Sequence, residues 1–170
     1  QAHVRSAEVE EILGMLQDPF RGAAGTAGML ANADFKFKPA RDSKGKQIEL
    51  TQSTHDRMMG SLDRKTRQTA WENYRDKYLE YKNTLASNLG TSIKQNVFNM
   101  RARKFESSLE STLYDHNIPV EVFHNLIDAF KKHLPLWHRY WEIRRKALGV
   151  KVLQPYDVWA TLSKKKVAVP

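Results

Sequence analysis

Six histidines and nineteen carboxylates are the side chains here that could hold a metal or move a proton, and there is no cysteine. A zinc-peptidase helix needs two histidines four residues apart with a glutamate after the first, so that both imidazoles reach one metal and the carboxylate reaches its water. His3, His55, His116, His124, His133 and His138 do not meet this: none precedes a glutamate and no two are four apart. His124 and Asp128 share a helical face, which without a third ligand reads as a hydrogen-bonded or solvated pair. Without cysteine, disulfides and thiolate metal sites are excluded. There is no GxSxG elbow to present a nucleophilic serine. Asp56, Asp63 and the Glu106/Glu110 pair read as helix caps or surface carboxylates rather than an acid–base pair. Gly22, Gly25 and Gly28 do not form GxGxxG and no GK[ST] follows, so a phosphate loop is set aside.

Aromatic and basic residues carry the remaining chemistry. Trp71, Tyr74, Tyr78 and Tyr81 form a stripe that could stack bases, but this spacing more often faces a core. Arg67 and Arg75 flank Trp71 by four residues each and should stack on it or cover it. Arg101, Arg103 and Lys104 close a helix, where cations offset its dipole; a clamp for a substrate carboxylate is the sharper reading. Lys plus Arg total 28 against 19 acids, a formal charge of +9. That excess fits an anionic partner such as nucleic acid. It fits equally an acidic share on another part of a longer protein, and the scatter of the basic residues along the sequence favours this.

The elements that must position these side chains are mostly helices. Ser6 can cap a helix to about Gln17, ended by Asp18-Pro19. Gly22 to Gly28 reads as a helix start or a loop. Phe35 and Phe37 alternate with polar residues, as do Ile48 and Leu50, around a turn-rich connector from Pro39 to Gly45; this predicts a small β-hairpin near residues 33–50. Thr51 caps a short helix ended by Gly60, and Ser61 or Asp63 caps the next. From Arg64 to Lys104 large residues recur every three or four positions, predicting one helix of on the order of 60 Å at ~1.5 Å per residue. Gly90, tolerated there at a cost of about 1 kcal/mol relative to alanine, reads as a kink or a close helix crossing. A short helix near Ser107–Leu113, a turn at Tyr114–Asn117, a helix after Pro119 and a restart at Pro135 follow, with Gly149 as a C′ residue. Val150 to Ala160 reads as extended or irregular.

With 170 residues, 41% of them hydrophobic, the chain suits one compact domain with a real core. No apolar run approaches the ~18 residues of a membrane span, and no signal segment opens the chain, so a cytoplasmic protein is expected. Gln1 at one end and Lys164 to Pro170 at the other read as cuts inside a longer polypeptide.

Several segments in order resemble one family. Met29-Leu-Ala-Asn-Ala-Asp-Phe-Lys-Phe37 is similar to the hairpin entry of oligoendopeptidase F. Ser61-Leu-Asp-Arg-Lys-Thr-Arg67 with Ala70-Trp71 resembles that family's S-x-D-R-x-x-R…A helix start. Asn83-Thr-Leu-Ala86 and Ala102-Arg103-Lys-Phe-Glu-Ser-Ser-Leu109 resemble its middle helix and A-R-x-x-x-S-x-L segment. Asn117-Ile-Pro-Val120, Arg139-Tyr140, Leu148-Gly149 and Tyr156-Asp157-Val-Trp-Ala160 continue the order. The resemblance implies a mainly α fold of long antiparallel helices with one small β-hairpin, part of a thermolysin-like oligopeptidase channel. It implies a non-catalytic segment, residues 1–170, of a zinc metalloendopeptidase that hydrolyses short peptides. The family's HExxH region lies beyond the matched part, so the resemblance implies no catalytic residue and no metal ligand here, and zinc held only by the parent protein. Arg103, Tyr156 and Asp157 are the candidate channel-lining residues. The expected partners are short peptides and the missing catalytic region, not a membrane. A basic helical nucleic-acid-binding module is the alternative, and a structural helical domain used in assembly is a third.

Overall fold

The computed structural model describes residues 3–163. The Lys164 to Pro170 tail, read above as a cut end, lies outside the described residues. The chain divides into two units, residues Gln1–Ala33 with Asn83–His133, and Asp34–Lys82 with Leu134–Pro170. Their charges differ: the first has 8 Lys and Arg against 9 Asp and Glu, the second 20 against 10. Basic residues that look scattered along the sequence thus gather in the second unit.

The first unit holds α1 (Ala7–Met15), α2 (Gln17–Met29), most of α5 (Lys82–Ala102), α6 (Ser108–Tyr114) and α7 (Val120–Lys132). Ser6 is the extended N-cap of α1, but its side chain makes no capping bond; its carbonyl accepts from Glu10 N–H at 2.9 Å. Asp18-Pro19 does not end the helical path: Leu16 separates α1 from α2, and Pro19 falls in the first turn of α2, where its missing N–H costs nothing. The stretch from Gly22 to Gly28, open between helix and loop from sequence, is helical within α2. The last residues before Asp34 form a π-helical turn, Leu30–Asp34.

After α5 the chain reverses through a left-handed Lys104, φ 59°. Lys104 N–H donates to the Arg101 carbonyl and Phe105 N–H to that of Met100. This is the double bond pattern that closes a helix around a left-handed residue. Phe105, just after it, is buried. Asn117 ends α6 in the same way, and Gly149, in the second unit, ends α8 (Leu134–Ala147), as its sequence position predicts.

The second unit is built on α4 (Arg64–Glu80), with α3 (Gln52–Met59), α8, a two-stranded hairpin and a 3₁₀ turn, Pro155–Asp157. The hairpin is shorter than predicted: β1 (Ala40–Arg41) and β2 (Gln47–Ile48), antiparallel with Ala40 opposite Ile48. Phe35 and Phe37 lie outside the strands, in irregular backbone. They share a side because they pack on α4: Phe37 stacks on Tyr74, and Phe35 meets Tyr78 and Tyr81, each at 5.0 Å between centroids. Strand β1 lies along α4, whose polar side chains complete its hydrogen bonding: Arg41 N–H donates to Thr69 Oγ1 (2.8 Å) and Asn73 Nδ2 donates to the Pro39 carbonyl (2.9 Å). Asp42 Oδ1 accepts from Lys44 and Lys46 N–H in the hairpin turn, and Gly45 takes the positive φ.

Thr51 and Thr54 form a reciprocal cap at the start of α3, and Gly60 ends it, as expected. Asp63 caps α4 and also accepts from Ser43 N–H at 2.8 Å, tying the hairpin turn to the helix start. The core comprises Ala40, Leu50, Met58, Met59 and Ala70, flanked by Phe37, Ile48, Trp71, Tyr74 and Tyr156. The single helix predicted from Arg64 to Lys104 is broken at Tyr81, not at Gly90. Tyr81 has φ −106° and ψ 17°, and its N–H turns to the carbonyl three residues back. A three- and four-residue spacing of large side chains survives a one-residue interruption, so the pattern cannot show it. The restart expected at Pro135 is found, with His133 closing α7 and α8 starting at Leu134. The irregular tail contains the 3₁₀ turn Pro155–Asp157.

Candidate functional site

Of the three candidate channel residues, the structure brings Tyr156 and Asp157 together in the second unit; Arg103 belongs to the first.

Asp157 is fully buried and centres a charged hub. Its Oδ1 lies 2.8 Å from Arg67 Nη2, and its Oδ2 lies 2.8 Å from Arg64 Nη2. Oδ2 also accepts from Gln154 N–H at 3.1 Å. Both arginines come from the first turn of α4, three residues apart and so on one helical face. Arg67 is only 3% exposed, and donates further to the carbonyls of Ser61 and Tyr156. Arg144 of α8, also buried, donates to the carbonyls of Asp157 and Ala160. Burial alone would push the Asp157 carboxyl upward, but the hydrogen bonds from Arg64 and Arg67 hold it below the ordinary aspartate range. A charge this deep stays ionised only because its partners are charged and geometrically matched. Tyr156, half-buried, lies beneath the Arg64 guanidinium at 5.2 Å and meets the Trp71 ring edge-on at 6.3 Å.

Arg103 makes a two-pronged pair with Glu10 of α1, at 2.8 and 2.9 Å. The Arg103 bond, then the bond from Arg5 N–H, lowers the Glu10 pKa. His3 stacks on Phe105 at 3.7 Å, with Nδ1 3.1 Å from the Arg103 carbonyl. Arg103 thus has a carboxylate partner inside the chain. Of the arginines flanking Trp71, Arg75 does lie over its ring, at 5.1 Å. Arg67 does not: the buried Asp157 claims it. Tyr74, Tyr78 and Tyr81 of the aromatic stripe pack against Phe35 and Phe37, while Trp71 meets Tyr156. Glu110 is a capping carboxylate, accepting from Glu106 N–H while its own N–H donates to Ser107. His124 and Asp128 are exposed on α7.

Among the described residues, no group of three or more His, Asp or Glu side chains is placed to hold a metal ion, so these residues do not fit a zinc site. Nor is any helix among them long and apolar enough to cross a membrane. Sequence reasoning missed Arg64, Arg67 and Arg144 as the partners of Asp157. It also missed an open cleft of about 530 Å³ lined by Leu136, Trp137, Tyr140, Trp141, Val158 and Trp159. The signal for the hub is present in Asp63-Arg64-x-x-Arg67 and Tyr156-Asp157, but nothing in a linear reading pairs the two.

A family model described as peptidase family M3 matches residues 57–169, and one described as oligopeptidase F matches residues 1–37. Group B oligopeptidase PepB of Streptococcus agalactiae is 37% identical over 95% of this chain, which covers 27% of PepB. Oligopeptidase PepF of Bacillus subtilis is 33% identical over 95% of this chain, covering 24% of PepF. The crystal structure of oligoendopeptidase F from Enterococcus faecium superposes with a TM-score of 0.89 at 35% identity, over 95% of this chain and 31% of that one. The 170 residues therefore span about a quarter of the length of these sequence relatives.

Proposed function

This chain belongs to peptidase family M3, among the oligoendopeptidase F proteins, and from that premise we propose that it is a non-catalytic wall segment of a zinc metalloendopeptidase acting on short peptides. The observation that carries this reading is the exposure of apolar helix faces where a self-contained domain would bury them. Leu126 on α7 is 69% exposed and Leu136 on α8 is 65% exposed. On α7 the apolar residues Val122, Phe123, Leu126, Ile127 and Phe130 recur at helical spacing, yet all are exposed. Such faces suit packing against further polypeptide.

In this reading the zinc of the whole protein is held by residues outside the chain, which supplies shape rather than chemistry. Arg103, Tyr156 and Asp157 serve the channel wall in different ways. Arg103 and Tyr156 keep partly exposed surfaces. Asp157 has both oxygens engaged, so it acts through Arg64, which is 44% exposed. A cytoplasmic setting goes with this reading.

One observation favours the second reading, a nucleic-acid-binding module: the 20 basic against 10 acidic residues of the second unit. Against it, Arg64, Arg67, Arg144 and Arg145 are engaged with carboxylates or carbonyls inside the chain. The Tyr74 and Tyr78 rings that would stack bases face Phe37 and Phe35.

The test is a graft. This chain replaces the matched residues of S. agalactiae PepB, and hydrolysis of a short fluorogenic peptide is measured with and without a zinc chelator. Chelator-sensitive hydrolysis by the graft, with none by the isolated chain, is expected. A folded but inactive graft, or an active isolated chain, rejects the wall-segment reading.

A further inference from the structure

The α8 cleft is an apolar concavity of the second unit. Trp159, 75% exposed, forms one lip; Leu136 and Tyr140 are also exposed. Its shape is fixed from below. Trp137 and Trp141 stack at 6.0 Å, Tyr140 meets Trp141 at 4.8 Å, and Arg144 holds the Asp157 and Ala160 carbonyls on either side of Val158 and Trp159. Concavities lined by rigid Trp and Tyr are typical of the centre of an interface, where such side chains bury large areas at low entropic cost. Soluble monomers rarely leave one open.

Charge and length indicate the occupant. The cleft belongs to the basic unit, and α8 carries exposed Arg139 and Lys146, its one acid, Glu142, being already paired with Arg145. Complementary potential selects an acidic partner. The relatives are about four times as long as the matched region, so most of such a polypeptide is still to be placed. Resting on the wall-segment reading, we infer that the Leu136–Trp159 cleft is the docking site for a segment of the remaining oligoendopeptidase polypeptide that inserts an apolar side chain flanked by acidic residues. The cleft is then an internal seam of the full protein, neither a substrate pocket nor a dimer face.

Hydroxyl-radical footprinting of the isolated chain and of the PepB graft tests this. Labelling of Leu136, Tyr140 and Trp159 falls roughly fivefold or more in the graft, as expected for side chains at a buried interface centre. In trans, the isolated chain and the PepB portion lacking the matched residues form a one-to-one complex on size exclusion with light scattering. Trp159→Glu abolishes that complex and high salt weakens it. Full labelling in a folded graft overturns the inference, as does failure to obtain a folded graft together with no complex in trans. So does protection that appears only on adding short peptide, only on self-association of the isolated chain, or only on adding duplex DNA. Peptide hydrolysis is read separately: an active graft with a labelled cleft sinks the seam alone, and a protected but inactive graft sinks the wall-segment reading alone.

Discussion

Arg67 and Asp157, ninety residues apart in the sequence, meet at 2.8 Å with the guanidinium 3% exposed and the carboxylate fully buried. The pair fastens the 3₁₀ turn after α8 to the first turn of α4, so the arrangement of the second unit hangs on it. Removing one partner of a buried ion pair leaves the other charged and unpaired, which costs about 3–5 kcal/mol. Asp157→Asn is expected to destabilise the chain by roughly that amount in urea denaturation. The double replacement Arg67→Met with Asp157→Leu is expected to recover part of it, because Arg67 is then not left charged and buried without its carboxylate. A loss under about 1 kcal/mol for Asp157→Asn would contradict the hub.

The same groups set the response to acid. Asp157 and Asp63 are held below the ordinary aspartate value of 3.8, and Glu10 below the glutamate value of 4.5. Glu142 is lowered to about 2, first by its bonds from Arg145. A carboxyl depressed in the folded state binds protons more readily when unfolded, so stability rises with pH and reaches its plateau above the unfolded values. The melting temperature is expected to be flat above pH about 5 and to fall as pH drops through about 4 toward 2. Asp157→Asn should flatten the fall. A melting temperature that rises on acidification contradicts this sign.

Lys104 offers a stabilising change. It sits at φ 59°, where a β-carbon is strained and glycine is the usual occupant, and it is exposed. Lys104→Gly relieves that strain but frees the unfolded chain, so the expected gain is modest, about 0.5–1 kcal/mol in thermal denaturation. Lys104→Val, with a branched β-carbon at the same angle, should destabilise. The contrast separates backbone strain from the loss of a cation at the end of α5.

How much of this was legible in the sequence varies with the range of the interaction. Thr51 and Gly149 could be assigned, and the cap of α4 narrowed to Ser61 or Asp63, because a cap is a contract between residues a few positions apart. The helical character of the chain follows from spacing in the same way. The break at Tyr81 and the helical Gly22–Gly28 were not legible, since one leaves the periodicity intact and the other runs against intrinsic propensity. The hub needed Asp157 to be joined to residues at the start of α4, with α5, α6, α7 and α8 intervening in the sequence, and local chemistry carries no such information. From sequence Arg103 is a dipole-offsetting cation or a substrate clamp; its carboxylate partner, Glu10, lies 93 residues away in α1.

The exposed faces lead to a last expectation, which separates the chain's own core from surface meant for other polypeptide. Ala70 is fully buried at the centre of the second unit's core, whereas Leu126 is 69% exposed on α7. Ala70→Leu forces extra volume into packed space and is expected to cost about 1–3 kcal/mol in the isolated chain. Leu126→Gln removes an apolar side chain that already faces water, and should change stability by no more than about 0.5 kcal/mol. In the PepB graft the two should converge: if α7 is covered there, Leu126→Gln buries a polar amide and its cost rises to about 1–3 kcal/mol. Urea denaturation of both variants in both settings reads this directly. An equal, small effect of Leu126→Gln in the isolated chain and in the graft would mean that α7 stays open to solvent in the longer protein, and that its apolar face serves something other than the family's own fold.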